Sequence, residues 1–357
     1  MTGLAALVPP AAVPDALCVR PDAADAAWDA YVAARPDASA YHMSGWSRLI
    51  ARAFGHESRM LSVENETGIT GVLPLVVMRS RLFGRFVVSL PFLNAGGVLA
   101  NDEASASALL DAAVAVTREV RAEYLELRHT ARRFPQLAER RHKVAMTLSL
   151  RDTADQQWEG LDRKIRNQVR KAEKSGLRAV DGGIESVDSF YEVFARNMRD
   201  LGTPVFGRAL FEEVLRTFPE NSRVLCVHQG ERPVAAAVVH WRRGSIEVIW
   251  ASALRELNPL CANPLLYWHM LQFAIRQGCR TFEFGRCTPG EGPFQFKRQW
   301  GAEPSPLVWE HWTPGGAVRE DLSPKSSTFS RASSMWRHLP VPVTTLVGPR
   351  IVRSIPC

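Results

Sequence analysis

The stretch that decides the fold runs from residue 263 to residue 301: NPLLYWHMLQFAIRQGCRTFEFGRCTPGEGPFQFKRQWG. Asn263 and Pro264 open a helix, as N-cap and first helical residue, and Gly278 stops it. Thr281–Phe284 follows as a short β-branched and aromatic strand. Gly285 and Arg286 then begin a Gly/Pro-rich loop, and residues 294–300 form a second short helix. A strand that ends in a charged residue and a glycine-rich loop presents a site. Arg286 has the geometry to grip a phosphate or carboxylate through two parallel hydrogen bonds. Lys297 stands among Phe294, Phe296 and Trp300, where an ammonium in apolar company can stabilise an oxyanion. Glu283 alternates with Phe282 and Phe284, so it faces the same side as a cleft and is a candidate for proton transfer. The structural alternative makes Phe296 and Trp300 core residues, with Lys297 and Arg286 reaching out to water.

Upstream lies a second informative stretch, DRKIRNQVRKAEKSGLRA from Asp162. It reads as a helix closed by Gly176. Arg163, Lys164, Arg166, Arg170, Lys171 and Lys174 crowd just over three turns, around a narrow apolar seam of Ile165 and Val169. Like charges this dense repel unless an anion or acidic neighbours offset them. A phosphate-rich partner fits, and so does a plain solvated face.

Working outward, the two halves of the chain repeat one order: helices, a run of strands, one long helix, then a strand ending in polar residues. YLELR at 124–128 in the first half matches FEFGR at 282–286 in the second. The matched order favours two α/β domains of one type, residues 21–150 and 151–315. Residues 1–20 read as a loose Ala/Pro arm, and 316–357 as a basic Pro/Ser-rich tail.

Composition sets the outer limits. The chain has 357 residues, 44 Lys+Arg against 37 Asp+Glu, and a net charge of +7. Its 46% hydrophobic and 23% charged residues are those of an ordinary globular protein. Collagen, coiled coil and wholesale disorder are excluded, and the length suits about two domains. The positive balance suggests an anionic partner. Six scattered cysteines, with no zinc-like Cys/His spacing, read as reduced thiols and imply a cytoplasmic protein with no metal site. No apolar run approaches the length of a membrane span, and the start lacks the basic region of a signal peptide. His240 and His269 stand alone and read as structural.

In their order, KIRNQVRKAEKSGL, the Asn263–Pro264 helix start, FEFGR and FKRQWG resemble the FemAB-type transferases, tandem proteins related to the GNAT acyltransferases. The resemblance covers roughly residues 25–315. The tail, with MWRHLPVPVTTLVGPRI from Met335, further resembles the FemAB-like proteins associated with the exosortase/PEP-CTERM system. It implies two tandem GNAT-like α/β domains, each a mixed twisted sheet flanked by helices. It also implies an acyl- or aminoacyl-transferase that modifies an amine or hydroxyl of an envelope glycan, exopolysaccharide or peptidoglycan-type precursor. Phe296 and Lys297 correspond to the family's active-site Phe-Lys, Arg286 to its strand-end Arg, and Lys164–Lys174 to its basic helix.

The donor stays open between acyl-CoA and aminoacyl-tRNA. The loop before the long helix, LRELNPLCANPLL from Leu254, lacks the glycine pattern with which acyl-CoA-using GNAT enzymes cradle pyrophosphate. The helical arm of some peptidoglycan-bridge enzymes is missing too. No bound cofactor beyond this co-substrate is implied, and the partner is a phosphate-bearing donor or precursor rather than DNA. The rival function is a non-catalytic module that binds nucleic acid, polysaccharide or another anionic polymer on a duplicated GNAT fold. In the tail, Trp336, Leu339, Val341, Val343, Leu346 and Ile351 mix with arginines as interfacial segments do, which suggests peripheral contact with the inner membrane face.

Overall fold

The computed structural model describes residues 17–80, 84–316 and 327–355. Most of the arm and the first part of the tail lie outside these residues. Two mixed sheets organise the described chain. The first has the order β1 (Cys18–Pro21), β2 (Glu57–Asn65), β3 (Gly68–Ser80), β4 (Gly84–Val88), β6 (Tyr124–His129), β15 (Val308–Trp312), β7 (Ala138–Arg140), with β5 (Leu99–Ala100) on β3. The second runs β14 (Glu303–Pro306), β8 (Val144–Ser149), β13 (Thr281–Cys287), β12 (Ser245–Ala253), β11 (Arg232–Arg242), β10 (Ser222–Gln229), β9 (Leu177–Gly182).

The helices, in chain order, are α1 (Asp25–Ala34), α2 (Ser44–Phe54), α3 (Glu103–Glu119), α4 (Ala154–Glu159), α5 (Arg163–Lys174), α6 (Val187–Leu201), α7 (Arg208–Thr217), α8 (Ala262–Arg276), α9 (Gly292–Gln299), α10 (Ser327–Trp336) and α11 (Val341–Val352). None is long and apolar enough to cross a membrane among the described residues.

The repeat expected from sequence is present in the topology. In the first sheet the antiparallel run β2–β3–β4 leads through α3 to β6, which pairs parallel with β4. In the second, β10–β11–β12 leads through α8 to β13, parallel to β12. The sheets do not divide where the sequence is expected to divide, however. β8, before residue 150, pairs with β13 in the second sheet, and β15, late in the chain, pairs with β6 in the first. Each half therefore lends one strand to the other. Within the arm, Cys18–Pro21 is not loose but pairs along β2.

Helices α2, α6 and α7 fill the space between the sheets. Trp46, Phe54 and Phe92 from the first half share one buried cluster with Phe190, Phe211, Val238 and Trp250 from the second. The outer face of the first sheet packs on α3 through Leu109, Ala113 and Val116. The outer face of the second packs on α5 and α8, where Ile165, Val169 and Ala172 meet Leu266, Met270 and Ala274. The apolar seam of the basic helix is thus what docks it, and Asp162 caps it by accepting from the Lys164 amide. His240 is a core residue beside Ser222, with burial pushing its pKa down to about 4.

One expectation is corrected. Asn263 is not an N-cap: α8 begins at Ala262, after Cys261 in a left-handed conformation with φ of 60°, and no side chain caps it. Pro264 is tolerated as the third helical residue because the first N–H groups of a helix have no internal partner. The described part of the basic tail forms α10 and α11, separated by Pro340, with α11 packed on α6.

Candidate active site

The parallel strands β12 and β13 pair at Ser245–Thr281, Ile246–Phe282 and Glu247–Glu283, and no further. Beyond that point they separate. Gly285 sits in the opening with φ of 72°, which only glycine adopts readily, and a Cβ there would lie 3.0 Å from the Val248 carbonyl. A shift in the β13–β8 register at the same place marks a bulge. The bulge turns the Gly285 and Arg286 carbonyls toward α9, where Lys297 Nζ donates to both, at 2.9 and 3.0 Å.

An ammonium carries three donors. With two of them on these carbonyls, the third is available to the cavity that Lys297 lines. That cavity holds about 330 Å³ and is walled from both halves of the chain: Tyr41 and Asn94 from the first, Trp250, Tyr267, Arg286 and Lys297 from the second. Burial disfavours the charged lysine and brings its pKa down to about 8, although nearby Cys287 and Glu247 work the other way.

The opposite charge comes from a residue the sequence reading missed. Glu247 lies beside Glu283 across the β12–β13 pairing. Its carboxylate accepts from Asn94 Nδ2 at 2.5 Å and is hydrogen-bonded by Tyr41, both cavity residues. Burial and the like charge of Glu283 push its pKa up to about 8, against the opposing effect of Arg286. Glu283 accepts from Ser245 Oγ at 2.9 Å, and burial raises its pKa as well. Two adjacent, desolvated carboxyls oppose each other's ionisation, so the doubly charged pair is disfavoured. Alternation places Glu247 opposite Ile246 and Val248, which pack into the second core, but the register shift at Ile249 that turns Trp250 to the other core is not readable in SIEVIWASA.

Arg286 also lines the cavity, with its guanidinium 5.5 Å from the Trp309 ring centre. Arg128 lies 4.1 Å from the same ring, pairs with Glu126 at 2.8 Å and donates to the Leu93 carbonyl at 2.6 Å. Burial raises the Glu126 pKa, but Arg128 and His311 outweigh it and hold it at about 2. The first half thus buttresses the wall that carries Arg286.

The other sequence candidates are placed differently. Trp300 is buried in the second core and Phe296 packs edge-on against Tyr267, so both stand behind the wall that Tyr267 forms. Asn263 lies in the first turn of α8 and reaches neither cavity. Of the basic residues on α5, Lys164 and Lys171, with Arg163, Asn167 and Gln168, line a second, open hollow of about 520 Å³ against Cys261 at the start of α8. Arg170 instead stacks near Trp158 at 5.4 Å, and Arg166 is half-buried.

Comparison with known proteins adds the fold's kinship. Residues 161–298, from just before α5 to α9, match the acetyltransferase (GNAT) domain family. No curated protein matches the chain in sequence. Among solved structures it is similar to FemX, with 14% identity and a TM-score of 0.63 over 82% of this chain and 96% of that one. It is similar to L-PGS from Bacillus licheniformis, with 10% identity and a TM-score of 0.53 over 92% and 96% of the two chains. A tandem GNAT protein from the clavulanic acid biosynthesis pathway has 13% identity and a TM-score of 0.53, over 85% of this chain and all of that one. At these identities the likeness concerns the fold, and it agrees with the duplicated topology. The family match thus falls on the half that carries Lys297 and Arg286, within a fold of the tandem GNAT type.

Proposed function

We propose that the protein transfers an acyl or aminoacyl group to an amine held in the cavity between the two halves. The observation that carries this reading is a desolvated Lys297 on the wall of one 330 Å³ space, at the opening of β12 and β13, with the desolvated Glu247 held by Tyr41 and Asn94 of the same wall. Lys297 is suited to stabilise the oxyanion that develops on the acyl carbonyl. Arg286 orients an anionic part of donor or acceptor. An ammonium arriving beside Glu247 favours its charged form, and the carboxylate then takes a proton from it. The freed amine attacks the acyl carbon: a C–N bond forms, the bond to the leaving group breaks, and the remaining extra proton on nitrogen goes to that leaving group.

For the donor, the hollow between α5 and α8 offers side-chain cations where a glycine loop is lacking. Lys164, Lys171 and Arg163 around the first turn of α8 suit the phosphates of acyl-CoA, the co-substrate of GNAT domains. Aminoacyl-tRNA is the other donor class that the resemblance to FemAB-type transferases suggests. The same resemblance proposes an envelope glycan, exopolysaccharide or peptidoglycan-type precursor as acceptor, in an exosortase/PEP-CTERM setting. The exposed cations of α5 also favour a second reading, an anion-binding module without turnover. Purified protein incubated with acetyl-CoA or a charged tRNA and amino-sugar acceptors separates the two. Transfer that Lys297→Ala abolishes supports catalysis, and anion binding with no transfer from either donor supports the module.

A further inference from the structure

Nine large hydrophobic side chains are exposed among the described residues, and four of them belong to the last two helices: Met335 at 73%, Val343 at 40%, Leu346 at 70% and Val347 at 38%. Single exposed apolar residues need no explanation, but a grouped set does. On α11 the helical period sorts the residues. Thr344, Gly348 and Val352 are buried, four residues apart, while Val343, Leu346, Val347 and Arg350 share the outward face.

The inward face is firmly seated. A Cβ on Gly348 would lie within about 3 Å of the Val205 backbone, so the two segments are in close contact. Arg199 donates to the Leu339 carbonyl at 3.2 Å, and His56 Nε2 donates to the Arg353 carbonyl at 2.8 Å. Val205 directly precedes Phe206, which lines the central cavity. The outward stripe is therefore a fixed feature of the folded surface, close to the wall of the site.

Charge identifies what covers it. From Arg331 to Ile355 the chain has Arg331, Arg337, Arg350 and Arg353, all exposed, and no Asp or Glu. An apolar stripe set among exposed arginines without a single acid is complementary to an anionic bilayer, whose headgroups attract the cations while the acyl boundary takes the side chains. We propose that the outward face of α11, with Met335 of α10, docks the protein peripherally on an anionic lipid surface. The contact stands whether or not the cavity performs acyl transfer, and it would bring the Phe206 side of the cavity near the bilayer.

The test is co-sedimentation of the full chain with vesicles of phosphatidylglycerol and phosphatidylcholine, beside vesicles of phosphatidylcholine alone. The expected result is salt-sensitive binding to the anionic vesicles and little to the neutral ones. Leu346→Glu with Val347→Glu should weaken that binding about tenfold or more, and Arg350→Ala should weaken it less. Val180→Glu, at an exposed site on β9, should leave it unchanged, and circular dichroism checks that each variant folds. Failure of the full chain to bind, equal binding to neutral vesicles, or equal binding by the double variant would overturn the proposal. So would a dimer that the double variant converts to monomer with no change in vesicle binding, since a second copy would then be the occupant.

Discussion

At the residue scale, Lys297 on the cavity wall and Glu247 behind Tyr41 and Asn94 are two groups whose ordinary charges are expensive where they sit. Lys297 has a pKa of about 8 in the fold, so it loses its proton as the pH rises through that value. If its charge stabilises the oxyanion, kcat/KM falls along an alkaline limb near pH 8. Lys297→Arg, which stays charged, moves that limb upward, while Lys297→Ala lowers kcat by about two to three orders of magnitude. A pH profile unchanged by Lys297→Arg would remove the lysine from the chemistry.

Glu247 has the reverse linkage. Its pKa is about 8 in the fold against an ordinary 4.5, so the unfolded chain gives up this proton first. Stability therefore falls as the pH climbs from 4.5 to 8. Glu247→Gln keeps the hydrogen-bonding shape and removes the titration. Its stabilising effect in urea unfolding should be near zero at about pH 4 and reach on the order of a few kcal/mol by about pH 8. An increment independent of pH would mean that the pair is not strained by desolvation.

At the scale of elements, short-range patterns were readable and long-range pairings were not. The strand at 281–287, the long helix before it and the capped basic helix follow from periodicity and end signals that neighbours in sequence supply. The start of α8 was misread because Asn-Pro is an ordinary opening, whereas here a left-handed Cys261 turns the chain two residues earlier. Lys297 and Arg286 could be picked out from their company, but Glu247, Asn94 and Tyr41 could not be grouped with them. Their meeting depends on the seating of one half against the other.

The basic helix shows how far composition misleads. Its six cations look equivalent in sequence, yet Lys164 and Lys171 line the hollow by α8 while Arg170 lies against Trp158. Lys164→Glu with Lys171→Glu should raise the KM for acetyl-CoA about tenfold or more in a salt-dependent way, with kcat little changed. Arg170→Glu should do less. Equal effects would mean that the whole face acts as a diffuse charge.

At the scale of the whole molecule, the shared cluster of Trp46, Phe54 and Phe92 with Phe190, Phe211 and Trp250 joins the halves through apolar contact. Neither half can expose that surface alone without losing much of its burial energy. Calorimetric unfolding should therefore show one transition with matching calorimetric and van't Hoff enthalpies. Two resolved transitions would mean that the halves are energetically separate.

The lending of β8 and β15 between the sheets has a consequence for the chain as it is made. β6 ends at residue 129, but the neighbour that covers its free edge, β15, does not begin until residue 308. At roughly 5–20 residues per second of synthesis, that edge stays bare for about ten to forty seconds while the second half emerges. A growing chain halted soon after residue 150 should thus be open to protease along β6 and sticky toward other nascent chains. One halted well past residue 312 should be protected, so release from that vulnerable state comes only once β15 has emerged.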